Sequence, residues 1–579
     1  MKILTLHVDY INFKPLKKAL QSVSPLSEEE KKGGEAKDAL VVLTAIEKID
    51  ENVKEVTKKF IEAVKDVASR VKTNNIVLYP YAHLSSNLAS PALATEVLDN
   101  AEKELKKDFS VLKAPFGYYK EFEMKVKGHP LSELSREIRA DGDWKIGKEE
   151  EKIDRDELLR KMTKVHMSAP KGEKGLKSNV ELGRELDLYI VSEIIGKGLP
   201  LLTPKGTTIK REIERFVVDE ELKRGYLHTS TPVMASSDLY KISGHWQHYR
   251  DSMFVLDVRG DKFALRPMTC PFQFIIYKSR PRSYKELPIR YAEIATLFRN
   301  EKTGELRGLT RIRQFTLADA HIICTPEQVE EEFVQALNLI KYVMTSLGLT
   351  DKDIWYRFSK WDPKDKVKYI DNPKAWDSSQ KLMKKILDRL KMKYTEAEGE
   401  AAFYGPKLDL QYKDVYGKED TLFTVQIDFA LPERYDMTYK DKNNKEARPM
   451  VIHRSSTGAT ERMIAFLLEK NQGNLPLWLS PIQVKVLSLT ERNADAVKKI
   501  NERLLKEGIR TETDIDESPI NGRIRDASLL KIPYLVVIGD KEEKEKKIAV
   551  RDRTGKNIVD YNMEEFIKKI KEEIKNRKS

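Results

Sequence analysis

Four arginines and two glycines crowd into Phe298–His321, FRNEKTGELRGLTRIRQFTLADAH, a stretch that closes on Asp319-Ala320-His321. A guanidinium is a planar fork that grips phosphate or carboxylate in two places, and inside a strand it is costly unless an anion meets it. Arg299, Arg311 and Arg313, with Glu301 among them, are therefore candidates for arginines that grip an anion. The same R-x-E…R-x-R pattern also suits an edge hairpin with a solvated charged face, and the stretch alone leaves both readings open. The other candidates are thiol and imidazole groups. Cys270, His321 and His453 stand 51 and 132 residues apart, which matches no local zinc motif. A free cysteine is commonly just a small buried apolar group.

These side chains need elements to position them. The residue types predict strands over Ala292–Phe298 and Ile312–Leu317 joined by the turn Thr303-Gly304-Glu305, with Arg299 and Glu301 on one arm and Arg311 and Arg313 on the other. Gly458-Ala459-Thr460-Glu461-Arg462 opens a helix that continues as MIAFLLEK, placing Arg462 near a positive helix N-terminus. Taken alone, Arg462 reads equally as a surface ion pair with Glu461 or Glu469. Thr208–Lys223 is a predicted helix with Ile209, Ile213, Phe216 and Val217 on one face, followed by the extended TSTPVM around Pro232.

Residues 1–140 read as a self-contained α/β unit. Strands are predicted over Lys2–Asp9, Leu40–Ile46 and Ile76–Tyr81, a helix presents Val53, Val56, Phe60, Val64 and Val67, and a later strand pair carries APFGYYK and KGHPLSE. Residues 141–178 turn charged and helical and then rich in Gly, Lys and Ser, as a connector does. Lys161-Met162-Thr163-Lys164 within it reads as part of an amphipathic helix. Residues 179–478 form the largest block. In 479–579 strand and helix alternate again: Val484–Leu489 and Ile532–Gly539 are strands, and Met563–Ile574 is a closing helix.

A chain of 579 residues is too long for one core and suggests three or four domains. With 34% charged and 40% hydrophobic residues it reads as a globular chain with a dense ionic surface. No 18-residue apolar run occurs and MKILTLHVDY lacks a signal-peptide layout, so neither secretion nor a membrane span is expected. Two cysteines exclude a disulfide framework and fit a reducing cytoplasm. The net charge of +12 points to a polyanionic partner, although Lys/Glu-rich chains of heat-adapted organisms share it. There is no G-x-x-x-x-G-K-[ST] loop and no G-x-G-x-x-G after a strand, so a nucleotide would be bound by another architecture.

Six motifs occur in one order: SGHWQHYRDSMF (243–254), RPMTCP (266–271), the FRNE…DAHI stretch, FYGPKLD (403–409), VQIDF (425–429) and HRSSTGATER (453–462). Together they resemble the catalytic core of the threonyl-tRNA synthetases, which are class II aminoacyl-tRNA synthetases. YPYAHLSS, APFGYYK and KGHPLSELSR resemble the editing domain of the archaeal members, related in fold to D-aminoacyl-tRNA deacylase. Asn521-Gly522-Arg523-Ile524-Arg525 and Gly539-Asp540-Lys541-Glu542 resemble the anticodon-binding domain of several class II synthetases. The resemblance implies a multidomain α/β and α+β protein: editing domain 1–140, charged helical linker 141–178, antiparallel-sheet catalytic domain 179–478, and α/β anticodon-binding domain 479–579. It implies ATP-dependent attachment of L-threonine to tRNA(Thr) through a threonyl-adenylate, by a cytoplasmic homodimer whose contact motif ends at Pro232.

It also implies roles. Arg299 takes the α-phosphate, Glu301 the adenine edge, and Arg311 and Arg462 the far phosphates, with Mg2+ on the ATP. Cys270, His321 and His453 hold one Zn2+ with positions left open for threonine. Asp319 and Tyr404 orient its amino and hydroxyl groups, and Gln426 borders the pocket. Leu317 and Ala459 stand where bacterial members commonly carry glutamine and serine. Cys324 is expected on the opposite face of its strand in a structural role. In the editing domain His83, Tyr119, Lys120 and Glu133, with Lys18 less securely, surround the ester of seryl-tRNA(Thr). Without the resemblance His83 is a turn histidine and Lys120 a surface lysine. Glu542 and Arg551 read anticodon base edges. Two alternatives stay open: a class II synthetase for serine or proline, and a non-catalytic tRNA-binding paralogue.

Overall fold

The computed structural model describes residues 1–20, 23–48, 50, 52–85, 87–138, 155–163 and 172–577. Residues 139–154 and 164–171, most of the predicted connector and Lys164 with it, lie outside them. The chain divides into two units, Met1–Arg155 and Asp156–Ser579.

In the first unit, strands β1 (Lys2–Lys18), β2 (Gly34–Ala45), β3 (Asn75–Pro80), β4 (Ser110–Lys113), β5 (Tyr118–Val126) and β6 (Glu133–Glu137) form one sheet in the order β4-β3-β2-β1-β5, with β6 also on β1. Helices α1 (Val53–Val71) and α2 (Pro91–Leu105) bury Phe60, Val64, Val67, Val97 and Leu98 in the core. Asn52 caps α1 by accepting from Glu55 N at 3.3 Å. β1 runs well past the predicted Asp9, because Ile11 and Phe13 continue the buried alternation. The expected strand pair is not a hairpin: β5 and β6 both pair antiparallel with β1, over Val8–Lys18 and Lys2–Leu6 respectively.

The second unit holds an eight-stranded sheet. Its parts, in chain order, are α3 (Pro204–Leu222), β7 (Leu227–His228), α4 (Cys270–Lys278), β8 (Ile289–Phe298), β9 (Gln314–Cys324), α5 (Val329–Ser346), β10 (Trp355–Ser359), β11 (Tyr394–Ala397), β12 (Lys407–Lys413), β13 (Glu419–Asp428), β14 (Met450–Ala459) and α6 (Thr460–Asn471). The strand order is β11-β10-β12-β13-β14-β9-β8-β7, antiparallel except for the outermost pairs β10/β11 and β7/β8. α3, α5 and α6 cover one face with Ile213, Phe333, Ile340 and Leu467. The other face carries α4 and an open pocket.

β9 and β14 set the register of the centre: His321 stands opposite His453, Asp319 opposite Ser455, and Leu317 opposite Ala459 across a local irregularity. Arg454, next to His453, points instead to the helical side and meets Glu221 of α3 at 2.6 Å. Both side chains are fully buried. Lys210, also on α3, reaches Glu461 Oε1 at 2.8 Å and Thr316 Oγ1 at 2.6 Å.

The predicted long arginine hairpin is shorter than expected. β8 ends at Phe298 and β9 begins at Gln314, so Arg299, Glu301, Arg311 and Arg313 lie in the connecting loop. A distant residue overrides the local strand preference of Ile312. Asn179 Oδ1 accepts from Leu309 N at 3.1 Å and fills the space a Cβ on Gly308 would need, with Gly308 at φ 45°.

Toward the C-terminus, β15 (Val484–Ser488), α7 (Ala494–Lys506), β16 (Thr511–Asp514), α8 (Ile520–Leu529), β17 (Tyr534–Ile538), α9 (Asp540–Glu545), β18 (Ile548–Asp552), β19 (Asn557–Tyr561) and α10 (Met563–Lys575) build a five-stranded sheet in the order β16-β15-β17-β18-β19. It docks on α3: Arg510 meets Glu212 at 3.4 Å, and Arg577 stacks over Phe216 at 4.1 Å. No helix of the described residues is long and apolar enough to cross a membrane.

Removing one partner of a buried ion pair strands the other charge, at roughly 3–5 kcal/mol. Arg454→Leu is expected to lose that much in chemical denaturation. Glu221→Leu/Arg454→Leu should lose less, since no charge is left unpaired.

Candidate active site and metal centre

A pocket of about 460 Å³ opens on the uncovered sheet face, and all the residues predicted for catalytic, substrate and metal roles line it. At its floor, Cys270 at the start of α4 joins His321 of β9 and His453 of β14. One ligand atom from each lies within 4.8 Å of the others, and all three residues are buried. Cross-strand register puts the two imidazoles ring to ring at 4.6 Å.

The second nitrogen of each ring is committed. His321 Nδ1 pairs with Gln273 Oε1 at 2.6 Å, and His453 Nε2 with Asp428 Oδ2 at 2.8 Å. Gln273 is oriented in turn, its Nε2 donating to Thr229 Oγ1 at 2.9 Å. With acceptors on those sides, the free lone pairs are His321 Nε2 and His453 Nδ1. This is how metal-binding histidines are commonly held. Burial holds the His321 imidazole well below its usual range and therefore neutral, as a ligand must be. Burial, with Asp319 and Asp428 nearby, pushes the Cys270 thiol well up. A thiolate is disfavoured here unless a cation joins it, so the donor set fits a divalent metal of the zinc type. Cys324 faces the helical side, buried with Ala320 and Ile322, away from this cluster.

Asp319 Oδ1 lies 3.9 Å from His321 Nε2, and burial pushes its carboxyl up. Tyr404 stacks on His453 at 4.8 Å and donates to Gln426 Oε1 at 2.6 Å. Above them the arginine loop closes the wall. Arg299 lies over Phe315 at 5.0 Å, and its buried Nε has no partner among the described residues. Arg311 is paired with Glu301 Oε2 at 2.7 Å and Glu305 Oε2 at 3.0 Å. Arg462 meets neither Glu461 nor Glu469. It donates to Thr310 O at 3.0 Å and Thr421 O at 2.8 Å, beside Asp420. Leu317 and Ala459, facing each other across the strands, pack together against the cluster of Leu297, Ile312 and Phe315.

Gln273 and Asp428 went unnoticed in the sequence. The only signal for Gln273 was its place three residues after Cys270, on the same helix. His245 was missed too. It is fully buried, edge-on to Phe403 at 5.0 Å, with Nδ1 on Ser243 Oγ at 2.6 Å and an Nε2 without a partner among the described residues. Burial pushes its pKa down to about 3.

In the first unit, Lys120 Nζ donates to Pro115 O at 2.9 Å and Tyr118 O at 3.0 Å and lies over Tyr79 at 5.0 Å. Burial lowers its pKa to about 8. Rings connect it to His83: Tyr79 to Tyr81 at 6.4 Å, then Tyr81 to His83 at 5.4 Å. Tyr119 is 57% exposed, near Lys17, and is not part of this line. Glu133 is exposed on β6 opposite Leu6, and Lys18 donates to Val23 O at 2.7 Å. In the C-terminal sheet, Glu542 accepts from Gly539 N at 3.0 Å, capping α9, and Arg551 donates to Asn557 Oδ1 at 2.7 Å.

Comparison with known proteins gives a consistent family. Residues 1–138 match the archaea-specific editing domain of threonyl-tRNA synthetase, 254–471 the class II tRNA synthetase core domain (G, H, P, S and T), and 483–573 an anticodon binding domain. A threonine–tRNA ligase of Clostridium perfringens is 52% identical over 402 residues, covering 69% of this chain and 62% of that protein. One from Clostridium botulinum is 54% identical over 397 residues, covering 68% and 62%. The chain thus spans a little under two thirds of the length of these relatives. The solved RNA binding domain of threonyl-tRNA synthetase from Cryptosporidium parvum is 34% identical with a TM-score of 0.65, covering 68% of this chain and 98% of that one.

Partners that orient metal-binding histidines are typically worth about 10–100-fold in affinity. Asp428→Asn is expected to weaken zinc binding by that amount in chelator competition. Cys324→Ser, on the other strand face, should leave it unchanged.

Proposed function

The chain belongs to the threonyl-tRNA synthetase family, and on that premise we propose that it attaches L-threonine to tRNA(Thr) through a threonyl-adenylate and hydrolyses mischarged seryl-tRNA(Thr). One observation carries the first half of the reading. A single pocket holds the Cys270/His321/His453 cluster and Arg299, whose buried Nε has no hydrogen-bond partner among the described residues. A metal-selective floor under an anion-seeking arginine suits an amino acid meeting ATP.

Arg299 stabilises charge building on the α-phosphate as the amino-acid carboxylate attacks in line. Arg311 and Arg462 take the far phosphates with Mg2+. Glu301 Oε2 is used by Arg311, which leaves Oε1 for the adenine amino group. Cys270, His321 and His453 would hold a zinc ion, which when bound would supply a Lewis acid able to tell threonine, with its hydroxyl oxygen, from valine, which lacks one. Asp319 orients the amino group, and the Tyr404–Gln426 pair borders the hydroxyl. The leucine and alanine at 317 and 459 replace two polar contacts by one apolar patch and leave the metal and the arginines untouched.

Serine keeps the hydroxyl and lacks one methyl, a difference of about 1–3 kcal/mol or roughly 10–200-fold. That shortfall is the reason for a second site, and the first unit supplies Lys120 and His83 for it. Tyr119 and Glu133 belong to it only if the tRNA end brings them together. Glu542 and Arg551 read anticodon bases from the C-terminal sheet. Leu222, Leu227, Val233 and Met234 are 40–56% exposed along the segment that ends the predicted dimer motif, which supports a homodimer. A cytoplasmic setting fits the two free cysteines.

ATP–pyrophosphate exchange tests the reading. Threonine should drive it best, serine less well, and valine and proline hardly at all, while Arg299→Ala should cost about 10²–10³-fold in rate. Exchange led by serine or proline would transfer the site to another amino acid, and none at all with zinc-loaded protein would make the chain a tRNA-binding paralogue.

The editing half has its own pH signature. Lys120 is charged below about 8 and neutral above it. The Lys120-dependent part of seryl-tRNA(Thr) deacylation, wild type against Lys120→Ala, should fall as pH rises through 8. An ordinary lysine would hold its charge to about 10. Equal rates for the two proteins would remove Lys120 from the mechanism.

A further inference from the structure

We propose that Asp420 is a positioning residue that sets Arg462 for the terminal phosphates of ATP, with Arg307 and Asp414 holding Asp420 in turn; this rests on the synthetase reading above. Arg462 is held from one side. Its Nε donates to Thr310 O at 3.0 Å, and its Nη1 to Thr421 O at 2.8 Å with Asp420 Oδ1 at 3.2 Å. Nη2 stays uncommitted among the described residues, on a side chain that lines the pocket.

Asp420 sits between two guanidinium groups. Oδ1 faces Arg462 and takes Thr421 N at 2.9 Å, while Oδ2 takes Arg307 Nη2 at 2.7 Å. Arg307 in turn reaches Asp414 Oδ2 at 2.5 Å. The Asp414 side chain is 4% exposed, and its other oxygen accepts from Tyr416 N at 3.0 Å and Lys418 N at 2.9 Å. It is therefore anchored by the tight turn between β12 and β13. Arg307 belongs to the turn that carries Arg311: Arg307 N donates to Arg311 O at 3.1 Å, and Arg311 N to Arg307 O at 3.2 Å.

The arrangement solves an electrostatic problem. Arginines gathered for one polyphosphate repel one another before it arrives. Carboxylates behind them offset that repulsion without occupying the side that meets the ligand. An exposed ion pair would contribute little. These groups are largely sheltered, so losing Asp420 removes the carboxylate that holds Arg462 Nη1 beside Thr421 O and leaves the guanidinium less restrained.

The test uses the whole chain in threonine-dependent ATP–pyrophosphate exchange, with Asp420→Ala, Asp420→Asn, Arg462→Ala and the double variants. Asp420→Ala is expected to raise KM for ATP about tenfold and leave KM for threonine unmoved. Asp420→Asn should recover part of that, since its amide oxygen still takes Thr421 N. If Asp420 acts through Arg462, each double variant is no worse than Arg462→Ala alone. Losses that multiply in the double variants, or an Asp420 effect spread equally over both KM values, would overturn the inference. Should Asp420→Ala fail to fold, the near-isosteric Asp420→Asn carries the same cycle. Arg462→Ala separates two kinds of failure. If it leaves KM for ATP unchanged, the reading of the pocket falls; if it raises KM while Asp420 variants do not, only the role of Asp420 falls.

Discussion

The antiparallel pairing of Gln314–Cys324 with Met450–Ala459 is the constraint on which the site depends. Its register sets His321 against His453 and, two steps on, Asp319 against Ser455. Because side chains alternate along a strand, the same pairing sends Cys324 and Arg454 to the helical side. A slip of the Met450–Ala459 strand by one residue would bury His453 in the apolar core and turn Arg454 into the pocket. A polar cluster of two imidazoles and a thiol on one face and an apolar core on the other thus specify the same alignment, and each makes the other's error costly.

The arginines obey a different rule. Of Arg299, Arg311 and Arg462, which line the pocket, none stands in a regular strand or simply faces solvent. Arg299 rests on Phe315, Arg311 leans on Glu301, and Arg462 is tied to backbone carbonyls. Arg299 is held against an aromatic ring, whereas Arg311 is fixed by Glu301 and Glu305 and Arg462 by backbone carbonyls beside Asp420. Preorganisation of this kind, more than charge alone, separates an anion site from a basic surface.

Much of this was legible in the sequence because it is local. Helices such as Val53–Val71 follow from the spacing of Val56, Phe60, Val64 and Val67, and the six ordered motifs marked the residues that gather at the pocket. What stayed hidden depends on contacts between distant segments. Asn179 captures the loop at Leu309 and ends the predicted hairpin early, although 130 residues separate them. Gln273 and Asp428 matter only because their partners are His321 and His453, a relation with no spacing rule. Leu317 and Ala459 looked like two separate departures from the family pattern. Paired across the sheet they are one, an apolar patch replacing a polar one. The strands that carry Lys120 and Glu133 were expected to pair with each other, and the length of β1 instead gives each its own stretch of one long neighbour.

Helix Pro204–Leu222 connects the site to the C-terminal sheet. Glu221 grips the strand of His453, and Lys210 holds Glu461, the neighbour of Arg462. From its other side Glu212 and Phe216 hold Arg510 and Arg577. Nineteen residues of α-helix make a stiff rod about 28 Å long. A tilt of the C-terminal sheet is therefore carried by the rod as a rotation and is not absorbed in a loop. One helix thus ties the C-terminal sheet to the strand that carries His453 and to the helix that carries Arg462.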